Sequence, residues 1–185
     1  SEVAAKVEVL SSKLYQMAGV RVADIDLLPI TGDIGGVSAV GRLGIASRME
    51  TVTDLDTGSM AKLAGAKDGF VADAWLANWD VIGPKNDNTQ KAGDKIIKID
   101  SGGALKFGGA GGAKPFTATV NELETLRDPN KAKVAYKVFQ DITTENLVTG
   151  AQKLAKVTDA HIDAIVDNSQ ISDKENMKEV LKARR

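Results

Sequence analysis

Apolar residues at helical spacing open the chain. They recur in alternating steps of four and three residues, which places them on one face of a helix: Val3, Val7, Leu10, Leu14 and Met17. Glu2 already fits this pattern, and Gly19 follows it at a position where helices commonly end. The sequence therefore predicts an amphipathic helix that stops near Gly19.

Short strands are predicted for the rest of the first 50 residues. Apolar and charged residues alternate imperfectly over 20–28, which favours a strand, and the Gly-rich segment 30–36 is typical of a turn. Residues 37–49 indicate one strand or two short ones, because Gly41 and Gly44 interrupt them.

The middle of the chain combines a helix, a strand and a Gly-rich loop. Residues 69–80, "GFVADAWLANWD", carry Phe70 and Trp75 among other apolar residues at helical spacing and predict a buried helix that ends near Trp79. Residues 95–100, "KIIKID", predict a short strand. The next 16 residues, 101–116, contain six glycines, which predicts an irregular loop.

The remainder of the chain reads as helical. The predicted helices cover 117–127, 129–140, 144–156, 159–167 and 173–184. A mixed first half followed by helices alone predicts an α+β fold.

Composition excludes several classes of function. The 185 residues include 24 basic and 25 acidic side chains, so no excess of positive charge indicates sequence-independent nucleic-acid binding. The absence of cysteine excludes disulfides, thiolate metal sites and a cysteine nucleophile. No apolar stretch is long enough to predict a membrane span.

Three side chains could carry chemistry. Asp80 follows the Trp-bearing run, Asn88 closes the polar loop after it, and Asp100 ends the predicted strand, directly before Ser101 and the Gly102–Gly103 pair. Carboxylates and amides can hold Mg²⁺ against nucleotide phosphates, and glycines let the backbone approach a phosphate closely. Asp and Asn are also common turn residues, so a role in capping the loop is the structural alternative.

A resemblance to a known superfamily gives these residues a context. Residues 69–105, "GFVADAWLANWDVIG", then "NDN" and "KIIKIDSGGAL", resemble the catalytic half of protein-kinase-like domains. The similarity is greatest to HipA-type and lipid-kinase-like branches, and to kinase-like domains fused to phage head-morphogenesis proteins. A looser likeness extends from residue 1 to about residue 166.

The resemblance implies a two-lobed α+β kinase-like fold. Residues 1–50 would form a reduced N-lobe, a helix with two or three antiparallel strands, in which segment 41–49 lies near an adenine-binding hinge. Residues 51–185 would form a mainly helical C-lobe with the catalytic-type loop at 80–103. The Gly-rich and lysine-bearing strands of a kinase N-lobe would precede Glu2, so we expect a segment upstream of Ser1 or a reduced lobe.

The same resemblance implies roles for individual residues. Asp80 would be the catalytic aspartate, and Asn88 and Asp100 would bind Mg²⁺. Glu2 would correspond to the glutamate that pairs with a phosphate-holding lysine. Weaker candidates for nucleotide or phosphate contacts are Gly102, Gly103 and Lys114.

Two departures from the kinase pattern stand out. Asp80 and Asn88 are eight positions apart, more than in the usual kinase loop, which makes Asn86 a rival for the metal-binding amide. Residue 101 is Ser, where protein kinases have Phe.

The expected activity is Mg²⁺-dependent phosphoryl or nucleotidyl transfer from ATP to an unspecified acceptor. Its partners would be a nucleotide and an acceptor protein or phage particle proteins, in the host cytoplasm or in a virion, without a membrane. One alternative is an inactive kinase-like module with a structural or interaction role in a phage or phage-derived element. The other is an unrelated α+β domain whose loop merely resembles a kinase.

Overall fold

The computed structural model describes residues 1–63 and 65–185. Within these residues the chain forms eight α-helices and three antiparallel sheets of two strands each. The α+β class predicted from the sequence is confirmed.

The first 50 residues form one helix and two strand pairs. Helix α1 (Glu2–Met17) begins at Ser1, whose hydroxyl accepts the Ala4 amide at 3.2 Å. The five-residue strand β1 (Ile25–Pro29) pairs with β4 (Leu43–Ser47), and the small hairpin of β2 (Asp33–Ile34) and β3 (Val37–Ser38) lies between them in sequence. The helix is where its apolar spacing predicts it, and segment 37–49 contains two short strands.

The middle of the chain departs from the sequence-based expectation in two ways. Helix α2 (Thr57–Lys62) is followed by α3 (Phe70–Trp75), so the helix predicted over 69–80 is wrong in its length. It ends early because Ala77 adopts a φ of +50°, which a right-handed helix cannot include. The other difference is β5 (Thr89–Ala92), which lies in a stretch expected to be loop and pairs with β6 (Lys95–Lys98).

Five helices complete the chain close to their predicted positions. They are α4 (Glu122–Thr125), α5 (Lys133–Phe139), α6 (Thr144–Leu154), α7 (Asp159–Asn168) and α8 (Lys174–Arg184). The first two are shorter than predicted: α4 begins only at Glu122, and α5 begins only at Lys133, after a turn in which the Asp128 carboxylate accepts the Asn130 amide.

Two hydrophobic clusters share α3. One joins α1 to α7 and α8, and the other packs α2 and α5 around Phe70. Helix α1 thus belongs to the same cluster as the last two helices. Helix α6 approaches α3 at Gly150, where an added β-carbon would lie 2.6 Å from Val71 Cγ2.

Arg184, near the end of the chain, ties α8 to α3 and α4. Its guanidinium lies 2.6 Å from the Glu122 carboxylate, both side chains being buried, and it donates to the carbonyls of Ala74 and Trp75. It also donates to the carbonyls of Thr117 and Thr119, which makes five acceptors in all, more than the three donors of a lysine could satisfy.

A second buried ion pair connects α1, α3 and β6. The ammonium of Lys98 lies 2.8 Å from Asp73, with side-chain exposures of 5% and 1%. Tyr15 donates to the same carboxylate at 2.7 Å and accepts from Asn78 at 3.0 Å. Complete burial raises the pKa of Asp73, and Lys98 and Tyr15 oppose that rise.

Among the described helices, none combines the length and the apolar character that crossing a bilayer requires.

We expect Lys98→Met to lower the free energy of unfolding by about 3–5 kcal/mol, because it leaves the Asp73 carboxylate buried without its counter-ion. Lys95→Met, on the same strand but exposed, is the matched control and is expected to change stability by less than about 0.5 kcal/mol. Urea denaturation of both variants checks this. Equal midpoints for the two would contradict it.

Candidate functional site

Asp80 and Asn88 are in direct contact. The Asn88 side-chain amide donates to the Asp80 carbonyl at 2.6 Å and to its carboxylate at 3.1 Å. The Asp80 amide donates in turn to the side chain of Asn78 at 3.0 Å, which fixes the start of the loop. The sequence-based pairing of Asp80 with Asn88 across a long loop therefore corresponds to a real contact.

Asp100 lies on the neighbouring segment, immediately after β6. The amide of Ile99 donates to the carbonyl of Asn88 at 2.8 Å, which holds the end of the strand beside the loop. Asp100 is exposed, and its Oδ1 accepts the Gly102 amide at 2.7 Å in a tight turn. The structure thus brings Asp80, Asn88 and Asp100 into one region.

The glycines after Asp100 permit close packing against Asp80. A β-carbon on Gly103 would lie 2.6 Å from Asp80 Cβ, and the Gly103 carbonyl accepts the amide of Trp79 at 3.2 Å. A β-carbon on Gly102 would lie 3.0 Å from Asp100 Oδ1 and 3.3 Å from Glu8 Oε2. Both glycines are explained by the packing of the acidic side chains around them.

Glu8 of α1 is the third carboxylate of this region. Burial raises its pKa to about 7, with a further contribution from the charge of Asp100. Burial also raises the pKa of Asp80, the Asn88 hydrogen bond lowers it, and the charges of Asp100 and Asp87 raise it again. Asp100 therefore repels a carboxylate on either side, an arrangement that a cation would relieve.

Part of the Gly-rich segment covers Asp80. A β-carbon on Gly109 would overlap the Asp80 carboxylate, so the backbone of this loop lies directly against it. The loop is closed by hydrogen bonds of 2.8 Å from Gly108 to Gly112 and from Gly111 to Gly108. The prediction of an irregular segment over 101–116 is confirmed, but the segment is folded back on the candidate site.

Two buried residues near the site have strained backbones. Ala77 and Leu105 have φ values of +50° and +56°, which are uncommon for residues with a side chain and costly for leucine. The ammonium of Lys114 donates to the carbonyls of both residues and lies 4.9 Å from the centre of the Trp79 ring. Burial lowers the pKa of Lys114 to about 8.

The other predicted residues lie elsewhere or have other contacts. Glu2 is half-exposed and faces Lys6 at 3.8 Å, six residues and about 9 Å along the helix axis from Glu8. Lys114 holds backbone carbonyls, which favours a structural role over phosphate binding. Segment 41–49 contains β4, which pairs with β1. The backbone amide of Asn86, the alternative to Asn88, donates to the Gly83 carbonyl at 3.2 Å in a separate turn.

Sequence reasoning missed three contributors to this region: Glu8, Asn78 and Gly109. Glu8 lies on α1 about 100° around the helix axis from Val7, off the predicted apolar stripe, so the helical pattern gives no signal for it. Asn78 is two residues before Asp80, the spacing of a side chain that caps a turn. Nothing in the spacing of six glycines could indicate which of them approaches Asp80.

The donor set is suited to a hard cation. Asn88 donates its NH₂ to Asp80, its amide oxygen lies beside Gly83, and Asp80 and Asp100 add two carboxylates. Magnesium usually takes one or two protein carboxylates and completes its shell with phosphate oxygens and water. Over the described ranges, no group of three or more histidine, cysteine or acidic side chains is placed so that it could hold a metal ion.

No protein-family model matches the chain, and comparisons with curated proteins and with solved structures also gave no match. The function must therefore be argued from the residues and their geometry.

We expect Gly103→Ala to lower the free energy of unfolding by about 1–3 kcal/mol, because the new methyl group meets the Asp80 Cβ and backbone in a packed region. Gly112→Ala is the matched control, since an added β-carbon there meets nothing within 4 Å. Thermal unfolding of the two variants measures the difference. Similar melting temperatures would show that the turn after Asp100 does not press on Asp80.

Glu8 predicts a pH dependence of stability. Its pKa is about 7 in the folded chain, against an ordinary value of 4.5 for a glutamate in water. Between these pH values the folded state thus binds more protons than the unfolded state. Protonation of Glu8 therefore adds to the free energy of unfolding at low pH, and this added stability is lost as the pH rises from about 4.5 to about 7. Glu8→Gln should flatten the fall in melting temperature over that window, whereas Glu2→Gln on the same helix should not. A wild-type slope retained in Glu8→Gln would contradict the assignment.

Proposed function

We propose that this chain is a kinase-like module that transfers a phosphoryl or nucleotidyl group from ATP with the help of Mg²⁺. The proposal is supported by one observation above the others: Asp80, Asn88 and Asp100 share one region in which Asp100 repels Asp80 and Glu8. A divalent cation bound between nucleotide phosphates and these oxygens would neutralise that repulsion.

Each side chain has a role that follows from its surroundings. Asp80 is half-buried and oriented by Asn88, so its carboxylate can accept a hydrogen bond from an acceptor hydroxyl and orient it for attack. Asn88 and the exposed Asp100 would hold Mg²⁺, which supplies charge neutralisation of the phosphates when bound. The half-buried Glu8 adds negative charge behind Asp100.

Asp80 lies at the edge of a cavity that could admit the acceptor. The cavity has a volume of about 430 Å³ and is lined by Trp79, Asp80 and Ile82 on one side and by Lys133 and Ala135 of α5 on the other. Its size suits a small molecule or one side chain of a protein. Gly109 and Ala110 of the Gly-rich loop also line it.

A specific observation supports the second candidate function, an inactive kinase-like module with a structural or interaction role in a phage or phage-derived element. The Gly109 backbone lies against the Asp80 carboxylate, where an acceptor hydroxyl would have to approach. In addition, the two lysines of α1 are turned to other acids: Lys6 to Glu2, and Lys13 to Asp26 at 3.1 Å. In the inactive module, the polar cluster would serve only to fix the loop.

Binding of a divalent cation together with ATP tests the metal-binding roles of Asn88 and Asp100. Mn²⁺ can replace Mg²⁺ and broadens the NMR signals of nearby residues, so wild-type protein with Mn²⁺ and ATP should lose the amide signals around Asp80 and Asp100. Asp100→Asn should bind the ion at least about tenfold more weakly, since it removes a charged ligand. Asp33→Asn, at an exposed carboxylate of β2, is the matched control and should retain wild-type binding.

Transfer itself is measured with ATP labelled on its γ-phosphate or on its α-phosphate, in the presence of Mg²⁺. Label that appears in an acceptor or in the chain itself, and disappears in Asp80→Asn, supports the enzyme. Binding of the cation without transfer supports the inactive module. Signals broadened equally in wild type and Asp100→Asn would contradict the metal-binding roles.

A further inference from the structure

A second cavity lies between the turn after α1, the start of α3 and the β5–β6 hairpin. Its volume is about 490 Å³, within the range of small-ligand sites. Its lining includes Gly19, Gly65 and Gly69, of which Gly19 and Gly65 adopt φ values of +71° and +87°. Glycines at the wall let a ligand approach the backbone closely. None of the residues discussed around Asp80 lines this cavity.

Positive charge predominates in the lining. Arg21, Lys95, Lys98 and Lys153 contribute four cations, against the two carboxylates of Asp68 and Asp94. Arg21 lies 3.5 Å from Glu50 and also donates to the Ala92 carbonyl at 3.0 Å, whereas Lys153 lies 3.7 Å from Asp68. Lys95 makes no ion pair within residues 1–63 and 65–185. Partly exposed ion pairs are weak, so Lys95 and Lys153 can engage an anionic ligand at small cost.

Lys98 gives the cavity a fixed, buried cation. Its side chain is 5% exposed and is anchored by Asp73 at 2.8 Å, yet it reaches the cavity wall. Gly69 allows this, because a β-carbon there would lie 3.3 Å from Lys98 Cε. A cation held rigidly at low exposure binds an anion with less loss of side-chain entropy than a mobile surface lysine does.

We propose that this cavity binds a small molecule that carries both a phosphate group and hydroxyl groups, such as a sugar phosphate. The phosphate is held by the guanidinium of Arg21 and the ammonium groups of Lys95 and Lys153, with Lys98 at the base. The carboxylates of Asp68 and Asp94 accept hydrogen bonds from the hydroxyl groups, which explains acidic side chains in a mainly basic wall. This proposal is independent of the Asp80 site and of the transfer reaction.

Isothermal titration with ribose 5-phosphate, ribose and inorganic phosphate tests the proposal on the whole chain without added metal. We expect the sugar phosphate to bind more tightly than either fragment. The double substitution Lys95→Gln/Lys153→Gln should weaken its binding by about tenfold or more. The matched control Lys131→Gln/Lys137→Gln, which removes two exposed lysines of the α5 region, should leave the affinity within about twofold. Urea denaturation verifies that both double variants remain folded.

The outcomes are distinct. Absence of binding by all three compounds overturns the site, as does equal weakening by both double substitutions. Equal affinity for inorganic phosphate and ribose 5-phosphate overturns the part assigned to Asp68 and Asp94. Tighter binding of the sugar phosphate that is lost only in Lys95→Gln/Lys153→Gln supports the whole proposal.

Discussion

The buried pair of Asp73 and Lys98 sets the geometry of the central part of this chain. Two opposite charges withdrawn from water must stay together, because separating them would leave an uncompensated charge in the interior. The pair joins α3 to β6, and the hydroxyl of Tyr15 adds α1. Asp80 follows Asp73 by seven residues and Asp100 follows Lys98 by two, so one ion pair places the starting points of both acidic segments.

A pair of this kind is better understood as a device for specificity than as a source of stability. Hydrophobic residues of similar volume often stabilise a protein as well as or better than a buried ion pair does. They would not, however, fix the Tyr15 hydroxyl by a hydrogen bond. That hydroxyl accepts from the Asn78 side chain, which in turn accepts a hydrogen bond from the Asp80 amide. The hydrogen-bonded series from Lys98 to Asp80 thus fixes an orientation that apolar packing alone would leave less defined.

The residues around Asp100, by contrast, bring together features that work against folding. Three carboxylates, Glu8, Asp80 and Asp100, lie close enough that the charge of Asp100 raises the pKa of the other two, after the larger effect of burial. The strained backbones of Ala77 and Leu105 border the same region. Repulsion and strain both work against folding, and proteins concentrate such features where they bind or react.

Much of the fold could be predicted from local patterns. Val7, Leu10 and Leu14 recur at helical spacing because they are buried on one face of α1, so this helix could be predicted from the sequence alone. Strand β5 was not, because its Thr-Gln-Lys-Ala sequence has little β-propensity and is held by its partner β6. The end of α3 also could not be predicted, since the left-handed conformation of Ala77 is stabilised from elsewhere, by Lys114 at its carbonyl.

The candidate site, like the fold, has contacts that the sequence could predict and contacts that it could not. The contact of Asp80 with Asn88 was foreseeable, because both residues flank one short polar loop, which the Asn88 backbone amide closes by donating to the Ile82 carbonyl at 3.2 Å. Glu8 and Gly109 were not, since each reaches Asp100 or Asp80 from a segment distant in sequence. Contacts of that kind are decided by the packing of α1 and by the folding back of the Gly-rich loop.

Lys98 also links the acidic region to the basic cavity. It lines that cavity and its ammonium holds Asp73, which accepts from Tyr15; the Tyr15 hydroxyl accepts from Asn78, and Asn78 accepts the amide of Asp80. An anion that drew Lys98 away from Asp73 would leave the carboxylate without its cation, which is the costly half of breaking a buried pair. A ligand in the cavity must therefore bind with Asp73 still in place, and the phosphate is best held by the outer cations Arg21, Lys95 and Lys153. For this reason the outer lysines, and not Lys98, are the side chains whose removal reports on binding without disturbing the fold.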